Sequence, residues 1–132
     1  MVQRSARPPA RRRPIHVLLL ATDWRTRAPL RAQLIEEGFE VAATDEWRDA
    51  RRHLRPEAKP RLVVVDLQGL PEADAVLRDL KVLMKPERVL AITAIGTASI
   101  ESVRGLGFAV VARPVSIGDL VASIRGLLAR TV

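Results

Sequence analysis

The run Arg61-Leu62-Val63-Val64-Val65-Asp66 closes an apolar, β-branched stretch on a single carboxylate and leads at once into Leu67-Gln68-Gly69-Leu70-Pro71. As a strand of an open parallel sheet, it puts Asp66 at the carboxyl edge, where such sheets place their ligand crevice. Other polar groups follow apolar runs in the same way: Thr22 and Asp23 after Val17-Leu18-Leu19-Leu20, Thr93 after Leu90-Ala91-Ile92, and Arg113 after Val110-Val111-Ala112. A carboxylate, a hydroxyl and a guanidinium in one crevice suit anion handling. The hydroxyl and the cation can meet phosphoryl oxygens, and the carboxylate can accept the phosphoryl group. Taken singly, each has a plainer reading: Asp66 as a polar strand end satisfied by backbone amides, Thr93 as an ordinary β-branched strand residue, Arg113 as a surface cation.

The elements that must position these groups follow from periodicity. Short β-rich runs alternate five times with helical patterns, which is the mark of a parallel sheet covered on both faces. Strands are expected near 15–21, 39–44, 61–66, 88–93 and 108–112, and helices near 26–37, 46–55, 72–84, 98–105 and 117–130. The third helix carries Ala73, Val76, Leu77, Leu80, Leu83 and Met84 at helical spacing, and the last carries Ile117, Leu120, Val121, Ile124, Leu127 and Leu128. Both stripes must lie on the sheet. Pro29 is expected within the opening turn of the first helix, where a missing N–H costs little. Gly38 suits a left-handed cap at that helix's end.

At 132 residues with 48% hydrophobic content, the chain reads as one domain able to bury a core without staples. It has no cysteine, so neither disulfides nor thiolate metal sites are available, and a cytoplasmic location is expected. No apolar run approaches the roughly 20 residues of a membrane span. Net charge is +7, of which Arg4, Arg7, Arg11, Arg12 and Arg13 contribute +5 without an acid among residues 1–14. The chain thus divides into a basic arm over 1–14, which Pro8, Pro9 and Pro14 keep from helix, and a near-balanced domain over 15–132. Such an arm can touch phosphates or anionic lipid.

From about Ile15 onward the sequence resembles the receiver domain of two-component response regulators. The resemblance rests on Glu37-Gly38-Phe39-Glu40-Val41, on Leu62-Val63-Val64-Val65-Asp66-Leu67 with Pro71 following, on Ala91-Ile92-Thr93-Ala94, and on Arg113-Pro114, all in order. It implies a flavodoxin-like (βα)5 doubly wound sheet with strand order 2-1-3-4-5. It also implies that Asp66 matches the phospho-accepting aspartate and Thr93 the hydroxyl that contacts the phosphoryl group, that Arg113 stands where the family has lysine, and that the bond before Pro114 is cis. Two departures matter. The adjacent acids that hold magnesium in the family align with Ala21 and Thr22, so no cofactor is expected, and any magnesium site would be a weak one on Asp23 and Asp66. The switch aromatic aligns with Val110.

Other constellations add little. His16 and His53 lack metal-ligand spacing, and no phosphate loop or nucleophile elbow is present, so no catalytic residues are assigned and the chain is not read as an enzyme. Arg48, Arg51, Arg52 and Arg55 fall on one stripe of the second helix opposite Trp47, Ala50 and Leu54, a candidate docking face for an acidic partner or phosphates, although Asp45 and Asp49 within i, i+3 reach of Arg48 and Arg52 favour a solvated, ion-paired face. The expected function is a receiver-like signalling module of a two-component phosphorelay, a pseudo-receiver acting by protein contact. A histidine kinase or a downstream effector is the expected partner, with homodimers as a further option. Its partner face is expected on the fourth helix, fifth strand and fifth helix, with Arg104 and Arg125 pointing to solvent. The alternatives are a working phospho-acceptor charged on Asp66 by a histidine kinase and, more distantly, a phosphate-backbone binder using the arm. With no Tyr and only two Phe and two Trp, base stacking is poorly supported and nucleic acid is not the expected partner.

Overall fold

The computed structural model describes residues 15–130; the arm of residues 1–14 lies outside them. Five strands and five α-helices alternate: β1 Val17–Leu20, α1 Trp24–Glu36, β2 Val41–Thr44, α2 Trp47–Arg51, β3 Leu62–Asp66, α3 Ala73–Leu83, β4 Val89–Thr93, α4 Ile100–Gly105, β5 Ala109–Ala112 and α5 Ile117–Arg130. All strand pairs are parallel and the order is β2-β1-β3-β4-β5, as the resemblance implies. A single 3-10 turn, Pro86–Arg88, precedes β4 and was not foreseen from the sequence.

The continuous apolar runs exist because the central strands are covered twice. Successive side chains alternate between faces. Leu18, Leu20, Val63, Val65, Val89 and Ala91 pack with residues of α2, α3 and α4, while Val17, Leu19, Ala21, Leu62, Val64, Leu90 and Ile92 pack with those of α1 and α5. The two predicted stripes close these layers. Val76, Leu77, Leu80 and Met84 are buried on one side, Leu120, Val121, Ile124 and Leu128 on the other. Burial of each such Leu or Ile contributes about 2 kcal/mol of transfer free energy.

Three local features differ from the sequence reading. First, α1 begins two residues early because Asp23 caps it, its side chain accepting the Arg25 N–H. Pro29 consequently lies in the second turn rather than the first. Second, α2 is only Trp47–Arg51, so Arg52 and Arg55 lie beyond its end and the four arginines do not form a helical stripe. Ala50 and Leu54 are buried as expected. Arg52 pairs with Asp49 at 3.7 Å, and Arg51 reaches Asp79 of α3 at 3.7 Å. Third, Arg125 is exposed as expected, but it also pairs with Glu37, the residue that follows α1. That places it on the α1–α5 side of the sheet, away from α4.

The end of α1 follows the sequence reading closely. Gly38 has φ +94°, its N–H bonds to Ile35 O at 2.9 Å, and Phe39 N–H bonds to Leu34 O at 3.1 Å. Those two bonds make a Schellman motif, with Leu34 and Phe39 in the same apolar cluster.

Candidate functional site

Register alone gathers the candidate residues. Leu20 pairs with Val65, so Ala21 lies level with Asp66; Asp66 pairs with Ile92, and Thr93 pairs with Ala112. The ladder continues beyond the strands, with Leu67 N–H bonding to Ile92 O at 3.0 Å and Arg113 N–H to Thr93 O at 2.8 Å. Asp66, Thr93 and Arg113 therefore share the carboxyl edge, and Asp66 and Thr93 are buried there at 1% and 3% exposure. The Arg113–Pro114 peptide bond is cis.

The central contact is direct. Arg113 Nη2 donates to Asp66 Oδ2 at 2.5 Å and to Thr26 Oγ1 at 3.0 Å. Because β4 lies between β3 and β5, and each strand spacing is about 4.8 Å, a β5 residue must reach past the end of β4 to touch Asp66. Arginine has the length and the paired donors to do so. The other carboxylate oxygen, Oδ1, accepts the Gln68 N–H at 3.1 Å. Both oxygens of Asp66 are thus engaged by the chain's own donors. Arg113 Nε is buried and has no hydrogen-bond partner among the described residues.

Several other groups around the crevice also bond within the protein. Thr22 Oγ1 donates to Gln68 O at 3.1 Å. Arg27 Nη1 donates to the carbonyls of Ala21 and Thr22 at 2.7 and 3.2 Å, tying the end of β1 to α1. Asp23 faces its own helix: Arg25 donates to Oδ1 from both N and Nε, at 2.9 and 3.1 Å. The hydrogen bonds from the Arg25 side chain and backbone hold the Asp23 carboxyl below its ordinary range and raise the Arg25 guanidinium in turn. Ala21 is fully buried and brings no side-chain oxygen. Magnesium takes six oxygen ligands in a near-octahedral shell. Among the described residues, no cluster of three or more acidic, histidine or cysteine side chains converges to offer one. Asp66 Oδ1, Asp66 Oδ2 and Asp23 Oδ1 each accept from a protein donor.

Sequence reasoning found Asp66, Thr93 and Arg113 but missed Thr26 and Arg27. Thr26 carried one readable signal: it precedes Leu30 and Leu34 on the buried stripe of α1, where a third apolar residue is expected. Arg27 gave none, since an arginine in a helix ordinarily reads as solvent-facing. Val110 lies in β5, half-buried against the α2–α4 cluster. Beside the crevice, residues 67–70, 72–74 and 95–98 line an open cleft of about 500 Å³, with the carboxylates of Glu72 and Asp74 among them.

The order and parallel pairing of the strands, with helices on both faces, is the fold of solved response regulator receiver domains. The chain is similar to the CheY-like response regulator receiver domain protein of Methanospirillum hungatei, at 23% identity over 90% of this chain and 97% of that one, with TM-score 0.73. It is also similar to the response regulator receiver domain protein of Clostridium thermocellum, at 20% identity over 88% and 95% of the two chains, with TM-score 0.72. A chain of Rhodopirellula baltica described as adenylate cyclase matches at 21% identity over 89% and 90%, with TM-score 0.73. No family model and no curated protein matches by sequence. The likeness is one of fold.

Proposed function

We propose that this domain is a receiver-type signalling module that acts through protein–protein contact, with Asp66 held by Arg113 instead of serving as a phosphoryl acceptor. The observation that carries the reading is the 2.5 Å contact between Arg113 Nη2 and an Asp66 carboxylate that is 1% exposed. Attack on phosphorus needs a carboxylate oxygen with an open lone pair and cationic charge on the phosphoryl oxygens. Here Arg113 donates to Oδ2 and the Gln68 N–H to Oδ1, so each carboxylate oxygen already carries a protein donor. The groups in which receivers carry a metal are replaced by Ala21 and Thr22, whose hydroxyl is bonded to Gln68 O.

A module of this kind needs a protein partner, a histidine kinase or an effector. Arg104, exposed in the last turn of α4, is the polar group we assign to the partner face, together with the edge strand β5. Arg125 drops out of that face because it pairs with Glu37. Among the described residues no helix is long and apolar enough to cross a membrane, and a cytoplasmic location belongs to the same proposal.

The test is a titration of the 15N-labelled protein with magnesium and beryllofluoride, a phosphoryl mimic. The amides of Gln68, Ala94 and Arg113, which bracket the crevice, are expected to stay where they are. Saturable shifts of these amides that vanish in Asp66→Asn would instead establish a working phospho-acceptor.

A further inference from the structure

Both hydrogens of one guanidinium nitrogen are used inside the crevice. Arg113 Nη2 directs one at Asp66 Oδ2, 2.5 Å away, and the other at Thr26 Oγ1, 3.0 Å away. The two acceptors come from different layers of the molecule, Asp66 from the sheet and Thr26 from α1. A single acceptor at the tip of so long a side chain leaves the guanidinium plane able to turn about the donor–acceptor line. A second acceptor on the same nitrogen removes that freedom.

Thr26 is 8% exposed and stands on the stripe whose other members are Leu30 and Leu34. A hydroxyl at such a position is costly unless it is hydrogen-bonded. The Arg113 bond supplies that compensation across 87 residues of sequence. The orphaned Nε shows what decides the orientation: the guanidinium is placed to serve the two acceptors of Nη2, and Nε is left buried without a partner. A guanidinium free to satisfy itself would not leave a buried donor unmet.

We infer that Thr26 is the positioning residue of this pocket, acting through Arg113 to hold the guanidinium over Asp66. The inference rests on the closed-pocket reading and names what keeps the pocket closed. The first turn of α1 thereby controls access to the carboxylate.

The test reads the Arg113 side chain directly by 15N spectroscopy of the full chain, with Arg113→Lys used to assign its signals. In the wild type the two Nη2 hydrogens are expected as separate, slowly exchanging resonances. Thr26→Val keeps the shape and removes the acceptor. It is expected to merge those resonances and to speed their exchange with water by about fivefold or more, the equivalent of one hydrogen bond of ordinary net strength. Thr26→Ser restores the acceptor and is expected to keep them apart; Thr26→Ala replaces the valine variant should that one fail to fold. Unaltered resonances in Thr26→Val or Thr26→Ala, or equal loss in Thr26→Ser, would overturn the assignment. Because the signals report orientation and not phosphorylation, this outcome is independent of the magnesium and beryllofluoride titration.

Discussion

Removing the Arg113 guanidinium should cost the fold far more than a surface arginine is worth. Asp66 is 1% exposed, and without Arg113 it keeps only the Gln68 N–H among the bonds that now hold it. Breaking a buried ion pair by deleting one partner costs about 3–5 kcal/mol, because a charge is left stranded in a medium that solvates it poorly. Arg113 is itself 24% exposed, so water can reach part of the vacated space. The low end applies, and Arg113→Ala is expected to lose about 3 kcal/mol, or about 10 °C in Tm for a domain of this size. The signature is non-additivity. Asp66→Asn alone should lose about 1 kcal/mol, since its amide no longer carries a charge to strand. Once the charge at position 66 is gone, removing Arg113 as well should add only about 1 kcal/mol, leaving a coupling of about 2 kcal/mol. Urea unfolding of the four proteins, followed by circular dichroism at constant m-value, measures each term. Strict additivity, or an Arg113→Ala variant within about 0.5 kcal/mol of wild type, as expected of an exposed pair, would refute the reasoning.

Three further outcomes follow from other contacts. Ala21→Asp/Thr22→Asp should bind magnesium more tightly than wild type by calorimetry, because the pair adds carboxylate oxygens level with Asp66; unchanged binding would mean the edge is not arranged as described. Gly107→Ala should destabilise by about 1–3 kcal/mol in thermal melts, since φ is +88° and the new Cβ would lie 2.9 Å from Pro86 Cβ, whereas Gly126→Ala, with nothing within 4 Å, should be neutral or better. Asp23 contributes through a carboxyl held below its ordinary range, chiefly by the Arg25 side-chain hydrogen bond. That contribution is fully present above the unfolded-state value and fades as pH falls through the lower folded value. The stability gap between wild type and Asp23→Ala should therefore be open at neutral pH and close below about pH 4.

Most of the fold was legible because the sheet's double coverage writes itself into the sequence as short apolar runs at regular intervals. The α3 and α5 stripes and the Gly38 cap are equally local signals. Element ends were less legible, since they depend on single contacts such as the Asp23 side chain capping α1. Of the site, the edge positions of Asp66, Thr93 and Arg113 followed from topology and from the family resemblance. What did not follow was the geometry that gives them meaning. Arg113 alone reads as a surface cation and, with its neighbours, as a phosphoryl contact, but nothing nearby in sequence says that it reaches 47 residues back to Asp66 and 87 back to Thr26. Long-range pairing of this kind depends on side-chain length and sheet order together, and neither periodicity nor spacing encodes it. For Arg125, lying off an apolar stripe correctly predicts exposure but does not predict the Glu37 partner.

The most direct measurement is the intact mass of the protein after incubation with acetyl phosphate and magnesium, with Asp66→Asn as the control. With Arg113 seated on Asp66 Oδ2, the wild-type mass is expected to be unchanged. A gain of one phosphoryl group in the wild type, absent from Asp66→Asn, would show that the carboxylate is open to attack and contradict the account.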